Sequence, residues 1–228
     1  DSFTARPKQE VFDFCDMYER FKIPFWFNTR PETTNLEMLR RLKQVGAYRI
    51  SFGIESGNED YRQKQLRRKG SNQKLIELFS MVEESGIPFS INLIIGMPGE
   101  TREMIMDTVH LVRQIGGFDT ITVSIFTPYH GTVLRTVAVE KGWLNGNYIT
   151  THTTSSSALN MPKPYISSSE IDGLMRSIPL YVYFPESEWE SIRRTETNDL
   201  EGERILGHYS ALYKRNFLGE DQNHDKVF

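Results

Sequence analysis

The chain has 228 residues, 38% of them hydrophobic and 25% charged, with a formal net charge of −3. This length suits one large domain or one and a half small ones, and no run approaches the roughly 18 apolar residues of a membrane span. The small negative charge gives no overall reason to expect binding to nucleic acid or to an anionic membrane surface, so neither is predicted as a partner.

Strands and helices alternate along the first 142 residues. Runs rich in β-branched and aromatic residues predict four strands, at 23–30, 48–55, 88–96 and 119–128. Amphipathic periodicity predicts helices before and between them, at 11–21, 34–45, 71–85 and 104–115. This alternation predicts an α/β fold around a parallel sheet, either an open doubly wound sheet or part of a βα barrel.

The alternation stops after Gly142, so we treat 1–142 and 143–228 as two regions. A polar stretch with Ser/Thr clusters and prolines predicts a loop, and helices are predicted beyond it at 169–181, 186–194 and 200–216. This helical C-terminal extension is too short for an independent catalytic domain. We expect it to pack on the sheet or on a partner.

Polar residues cluster where each predicted strand ends. The strands offer, in order, Asn28 and Arg30, then Glu55, then Asn92 with the turn GMPGE at 96–100, and finally the turn TPYHGT at 127–132. Because the carboxyl ends of parallel strands meet at one edge, these groups should line one small-molecule pocket. An arginine, a carboxylate, amides and glycine turns together suit a zwitterionic ligand that bears a diol and a flat base.

Simpler interpretations stay open for individual residues. Glu55 also fits the cap of a following helix. The basic run at 62–70 fits a solvated helix face with one arginine pointing inward, and few aromatic residues interleave with it to favour RNA. Asn92 favours a ligand, because an unpartnered buried amide costs about 1–3 kcal/mol. The histidines lack metal-ligand spacing, so no metal site is predicted on this chain.

Four phrases lie at the strand ends: FWFNTRPET, RISFGIESGNEDYR with LRRKGSN, SINLIIGMPGET and FTPYHGT. In this order they resemble the later strands of the radical S-adenosylmethionine (radical SAM) family, above all its cobalamin-binding branch, over about residues 1–142. The resemblance implies a partial, TIM-like βα barrel with about four of the family's usual six units. It also implies S-adenosylmethionine bound across the strand tips beside a [4Fe-4S] cluster, which cleaves the sulfonium reductively to a 5′-deoxyadenosyl radical.

Carried over by position, the resemblance assigns cofactor-binding roles to Asn28, Glu55, Arg68, Asn92, Ile94, Gly96 and Pro98. Glu55 and Asn92 match contacts to the ribose or the methionine part. Arg68, with Arg67 as competitor, matches the partner of the methionine carboxylate. Asn28 matches an acceptor for the methionine amine, and residues 94–98 would line the adenine. The candidate substrate rim consists of Arg30, Tyr129 and His130, and no catalytic residue is assigned.

The sequence departs from the family at the cluster. The motif Cys-x3-Cys-x2-Cys is absent, and Cys15, the one cysteine, lies on a predicted helix face. The start of the chain resembles the segment after the second strand of the family barrel. We therefore expect the C-terminal portion of a radical SAM enzyme, inactive alone, with the cluster ligands in a missing N-terminal segment and cobalamin, where used, in the full-length protein.

Two alternatives stay open. The first is a non-catalytic half-barrel remnant that binds a nucleotide-like ligand or a protein. The second is an unrelated βα barrel enzyme with Glu55 as general base, although nothing nearby completes an acid/base pair. Loss of two units would leave the strand at 24–28 as an open edge, which predicts pairing with the missing segment or self-association. The single cysteine indicates a reducing, cytoplasmic compartment.

Overall fold

Four parallel strands form one open sheet in the computed structural model, which describes residues 2–150 and 156–218. The strands follow one another across the sheet in chain order: β1 (Phe25–Thr29), β2 (Ala47–Glu55), β3 (Phe89–Ile95) and β4 (Thr120–Ile125). All three neighbouring pairs are parallel. The predicted α/β fold is confirmed, and the four predicted strands are the four observed ones.

Helices connect the strands. They are α1 (Lys8–Tyr18), α2 (Leu36–Gln44), α3 (Glu59–Lys64), α4 (Asn72–Ser85), α5 (Arg102–Ile115) and α6 (Val133–Glu140). Five of them begin at side chains that accept a backbone N–H of the first turn: Asn35, Asn58, Ser71, Thr101 and Thr132. The sequence prediction missed α3 and α6 as elements of their own, because each spans at most 8 residues and gives a short periodic signal.

The two faces of the sheet differ in chemistry. On one face, Phe52 packs against Phe79 of α4 with ring centroids 5.3 Å apart, and against Phe89 at 6.0 Å. The opposite face carries a row of small polar side chains, since Asn28, Ser51, Ser90 and Thr120 are register partners on successive strands. The apolar core therefore lies between the sheet and its helices, and the opposite face is polar.

Asn92 lies on that polar face. Its register partners are Gly53 and Thr122, and its side chain is half-buried. The expectation of an amide buried in an apolar environment is thus wrong, because strand alternation turns Asn92 away from the core. Within the described residues its side chain makes no hydrogen bond, so a ligand partner stays a prediction.

The C-terminal extension consists of α7 (Ser168–Tyr183), α8 (Trp189–Arg194) and α9 (Leu200–Tyr213). Helix α7 packs against β4 and α5. Arg113 of α5 fixes its carboxyl end by donating to the carbonyls of Tyr181 at 2.8 Å and Phe184 at 2.6 Å. Through α7 the extension packs on the sheet, as expected. The division into domains at 142/143 stays a prediction.

The outer edge of β1 is not bare along its whole length. The backbone N–H of Phe3 donates to the carbonyl of Asn28 at 2.9 Å, and the N–H of Thr4 donates to the hydroxyl of Thr29 at 3.3 Å. The expected open edge is corrected at this end, because the segment before α1 pairs with it. Within the described ranges, no helix has both the length and the apolar character needed to cross a membrane.

Candidate cofactor-binding site

A pocket of about 830 Å³ lies at the carboxyl ends of the strands. Its wall combines the end of β1, the ends of β2, β3 and β4, the loop between α3 and α4, the loop between β4 and α6, and Met175 of α7. This is the edge at which parallel α/β sheets place their ligands. The volume falls in the range of small-molecule sites, about 300–1,000 Å³.

Half of the ten predicted site residues line this pocket: Arg30, Glu55, Arg68, Ile94 and Tyr129. The competitor Arg67 lines it as well. These residues come from the end of β1, from β2, β3, the β4–α6 loop and the α3–α4 loop, so the fold brings together groups far apart in sequence. Their roles toward a cofactor stay predictions.

The other five predicted residues lie elsewhere. Asn28 and Asn92 lie on the polar face of the sheet, below the strand tips. His130 is exposed in the turn after β4 and does not line the pocket. The structure therefore brings these three near the pocket's edge of the sheet without placing them in its wall.

The GMPG turn after β3 also lies outside the pocket wall, except at Met97. A Cβ on Gly96 would approach the Ile171 side chain of α7 to 2.6 Å, and Gly96 has φ +77°. The buried Pro98 offers its carbonyl to the Tyr61 hydroxyl at 2.9 Å. Both residues therefore shape the turn by close packing, and an adenine contact by either stays a prediction.

Glu55 reaches the pocket from an irregular strand end. The register between β2 and β3 shifts between Gly53 and Glu55, as a β-bulge does, and Glu55 has φ +67°. A Cβ on Gly53 would come within 2.4 Å of Glu55 Oε1. The bulge and the missing side chain at Gly53 together make room for the carboxylate beside its own strand.

Arg68 binds this carboxylate. Its guanidinium donates to Glu55 Oε1 at 2.9 Å and to the Gly53 carbonyl at 2.6 Å. The side chains of Arg68 and Glu55 are 13% and 19% exposed. Burial raises the pKa of Glu55, although the charge of Arg68 and its hydrogen bond lower it. The simpler interpretation of Glu55 as a helix cap is wrong, since the cap of α3 is the Asn58 side chain, which accepts from the Tyr61 N–H.

The loop that carries Arg67 and Arg68 is held in place by Arg62. This arginine is buried and donates to the carbonyls of Ser56 and Gly70, both at 3.1 Å. Its own carbonyl accepts the N–H of Arg68 at 3.1 Å. The basic run is therefore not one solvated face: it divides into a structural arginine and two pocket arginines.

Sequence reasoning missed most of the apolar side of the pocket: Leu66, Val123, Ile125, Phe126, Val133, Leu134 and Met175. Phe126 directly precedes the TPYHGT turn, so its position at a strand tip was a usable signal. Leu134 and Met175 lie on α6 and α7, whose approach to the strand tips depends on tertiary packing. No local pattern could have placed them there.

Comparisons with known proteins agree with the resemblance. The family model of the radical SAM superfamily matches residues 4–112. These residues are therefore similar to the radical SAM superfamily, as the sequence resemblance predicted. An uncharacterized methyltransferase of Pyrococcus horikoshii is 26% identical over 185 residues, which cover 80% of this chain and 39% of that protein. The chain thus spans well under two thirds of the length of that relative.

Two solved structures support the radical SAM fold. Coproporphyrinogen III oxidase from Escherichia coli, a radical SAM enzyme, superposes with a TM-score of 0.55 at 18% identity, covering 78% of this chain and 38% of the enzyme. The cobalamin-dependent S-adenosylmethionine radical enzyme OxsB gives a TM-score of 0.51 at 13% identity, covering 91% and 36%. At these identities the likeness shows the fold alone.

The residues of this chain fit the two cofactors of that family unequally. A pocket at the strand tips with an ion-paired carboxylate, two further arginines and an apolar wall suits a zwitterionic adenosyl ligand. A [4Fe-4S] cluster does not fit, because it requires several thiolates and the one cysteine, Cys15 of α1, is buried in the core. Within the described residues, no group of three His, Cys, Asp or Glu side chains could hold a metal ion.

Proposed function

We propose that this chain is the S-adenosylmethionine-binding portion of a radical SAM enzyme, with the cofactor in the pocket at the strand tips. The observation that carries the proposal is the Glu55–Arg68 ion pair in the wall of that pocket, at a strand end that the superfamily match includes. When bound together with a reduced cluster, S-adenosylmethionine supplies the radical chemistry of the family.

The pocket residues support binding and orientation. The Arg68 guanidinium offers further N–H donors to the methionine carboxylate, in the forked geometry that suits it. Glu55 accepts hydrogen bonds from the amine or from the ribose hydroxyls. Ile94 and the apolar side of the pocket exclude water around the flat base.

The proposal also has to account for the cysteine ligands of the [4Fe-4S] cluster. One cysteine in 228 residues cannot supply them, so we place them outside these residues in the same protein. We extend the proposal to cobalamin in the whole protein, on the strength of the resemblance to the cobalamin-binding branch. Sequencing the gene upstream of the first codon tests this: an in-frame Cys-x3-Cys-x2-Cys motif is expected, and a stop codon there would favour a non-catalytic remnant.

Cofactor binding can be tested on the chain itself. Titration with S-adenosylmethionine by calorimetry and by NMR should show weak binding, in the millimolar range, because the cluster side of the site is not supplied. Arg68→Gln and Glu55→Ala should each abolish it. Arg193→Gln, which changes an exposed arginine outside the pocket, should leave it unchanged. Tight binding that survives Glu55→Ala would contradict the placement of the site.

A further inference from the structure

The charges of the pocket are unbalanced. Its wall carries three guanidinium groups, from Arg30, Arg67 and Arg68, and one carboxylate, from Glu55. The protein as a whole has a formal net charge of −3, so this cationic wall is a local feature. Cations gathered in a partly enclosed cavity attract anions more strongly than the same cations on an open surface.

Only one of these arginines is neutralised by direct contact with the pocket carboxylate. Arg68 donates to Glu55, whereas Arg30 and Arg67 make no ion pair and no side-chain hydrogen bond to any residue in 2–150 or 156–218. Two guanidinium groups therefore face the pocket without a contacting counter-charge among the described residues.

The backbone at Arg67 is held in a fixed conformation by the loop. Arg67 has φ +53°, a left-handed conformation that is unfavourable for a residue with a side chain. Its neighbours on both sides in the loop are tied to the scaffold, because Arg62 clamps the loop and Arg68 bonds to β2. Since the backbone is held against its preference, the direction in which the Arg67 side chain leaves the backbone is set by the fold.

The pocket is also polarised. Arg30, Arg67 and Arg68 come from the β1 side and from the α3–α4 loop, whereas most of the apolar lining comes from β4, α6 and α7, where the side chains of Thr127, Tyr129 and Thr132 add polar groups. A ligand that satisfies both sides carries an anionic group at one end and an apolar body at the other.

We infer that Arg30 and Arg67 bind an anionic group, a carboxylate or a phosphate, of a substrate whose apolar body packs on the β4–α6–α7 side of the pocket. The inference rests on the proposed function, for which it names the substrate class. It needs the cofactor carboxylate to be held by Arg68, so that the other two arginines remain for the substrate.

Anion binding by the chain tests this inference. Inorganic pyrophosphate represents the phosphate source and tricarballylate the carboxylate source, each titrated by NMR at low ionic strength, where screening is weak. At least one probe should bind, and the tighter one identifies the source. The double variant Arg30→Gln/Arg67→Gln should bind it about tenfold or more weakly, since charge-assisted contacts are lost. Binding of neither probe, or unchanged binding by the double variant, would overturn the inference.

Matched controls separate a directed contact from general attraction. Lys69→Gln removes one positive charge from the same loop but outside the pocket wall, and its affinity should stay within about twofold of wild type. Because Arg30 and Arg67 are exposed, their variants should unfold at the same temperature as wild type. An equal loss of affinity with Lys69→Gln would reject a specific role for Arg30 and Arg67.

Repeating the titration with S-adenosylhomocysteine present distinguishes this inference from the proposed function. Pyrophosphate or tricarballylate should bind alongside it, because the two use different arginines. Competition between them would overturn the inference while leaving cofactor binding intact. Anion binding without any adenosyl binding would instead reject the proposed function and leave the arginine site standing.

Discussion

A glutamate ends β2 and another lies in the turn after β3, and the two carboxyl groups have different surroundings. Glu55 lies in the pocket wall, 19% exposed, with the Arg68 guanidinium 2.9 Å away. Glu100 is 0% exposed, and its Oε2 accepts the backbone N–H groups of Gly96 at 2.6 Å and Met97 at 3.2 Å. The comparison shows that position at a strand end does not by itself make a carboxylate part of a binding site.

The two environments have different consequences. Glu55 has a cation and an opening to the pocket, so its charge is available to a ligand. Glu100 has no cation beside it, and within the described residues its Oε1 has no hydrogen-bond partner. Burial raises the pKa of Glu100 to about 8, although the two backbone hydrogen bonds lower it. Glu100 is therefore an internal support that closes the GMPG turn and fixes Met97 in the pocket wall.

The largest effect on stability is expected at Glu100, in the buried turn after β3. Glu100→Ala should lower the free energy of unfolding by about 4 kcal/mol, because it leaves two buried N–H groups unpaired and opens a cavity. Urea denaturation measures it. The control Glu100→Gln keeps the shape and an acceptor oxygen, so its loss should be about 1 kcal/mol. Equal losses for the two variants would argue against a role for the carboxyl oxygen as acceptor.

The pH dependence of stability gives the next effect. The pKa of Glu100 is about 8 in the folded protein against 4.5 for an ordinary glutamate, so the folded state keeps a proton that the unfolded chain releases. The free energy of unfolding should therefore fall as pH rises from about 4.5 towards 8, by about 1.4 kcal/mol per pH unit and by on the order of 3 kcal/mol at pH 7. Urea denaturation of wild type and Glu100→Gln at several pH values in this range measures this fall. The free energy of unfolding should fall with pH in the wild type by this much more than in Glu100→Gln. Parallel profiles would contradict the raised pKa.

The sequence predicted the position of Glu55 at the pocket but not the burial of Glu100, for a physical reason. Glu55 ends a strand of alternating residues and precedes an arginine run, so a local pattern indicates both the place and the partner. Glu100 stands out in the sequence only as part of a glycine-rich turn, because its burial depends on Ile166 and α7, which arrive from 66 residues later in the chain. The pocket's edge of the sheet, with Arg30, Glu55 and the turn that carries Tyr129, could be predicted from strand periodicity, whereas Arg68 and Ile94 were assigned by the family resemblance. The apolar side of the pocket depends on the packing of α6 and α7, which no local pattern encodes.

A smaller effect on stability is expected at Glu55, in the pocket wall. Glu55→Ala should lower the free energy of unfolding by about 1 kcal/mol, because the ion pair with Arg68 is partly hydrated and Arg68 keeps the Gly53 carbonyl as a partner. Urea denaturation together with the S-adenosylmethionine titration separates the two roles. Binding should be lost while most of the stability is kept, the reverse of what a structural carboxylate does. A loss of stability as large as that of Glu100→Ala would remove the contrast between the two glutamates.

The smallest effect concerns the backbone, and it has opposite signs at the two glutamates. Glu55 has φ +67°, so Glu55→Gly should be more stable than Glu55→Ala by about 1 kcal/mol, because a Cβ is unfavourable in the left-handed region. Glu100 is not among the residues with positive φ, so there the order should reverse: Glu100→Gly should be less stable than Glu100→Ala, since glycine only adds flexibility to the unfolded chain. Urea denaturation of the four variants measures both differences. The same sign at both positions would mean that the bulge at the end of β2 relaxes when Glu55 is removed, and that the ion pair with Arg68 holds the bulge in place.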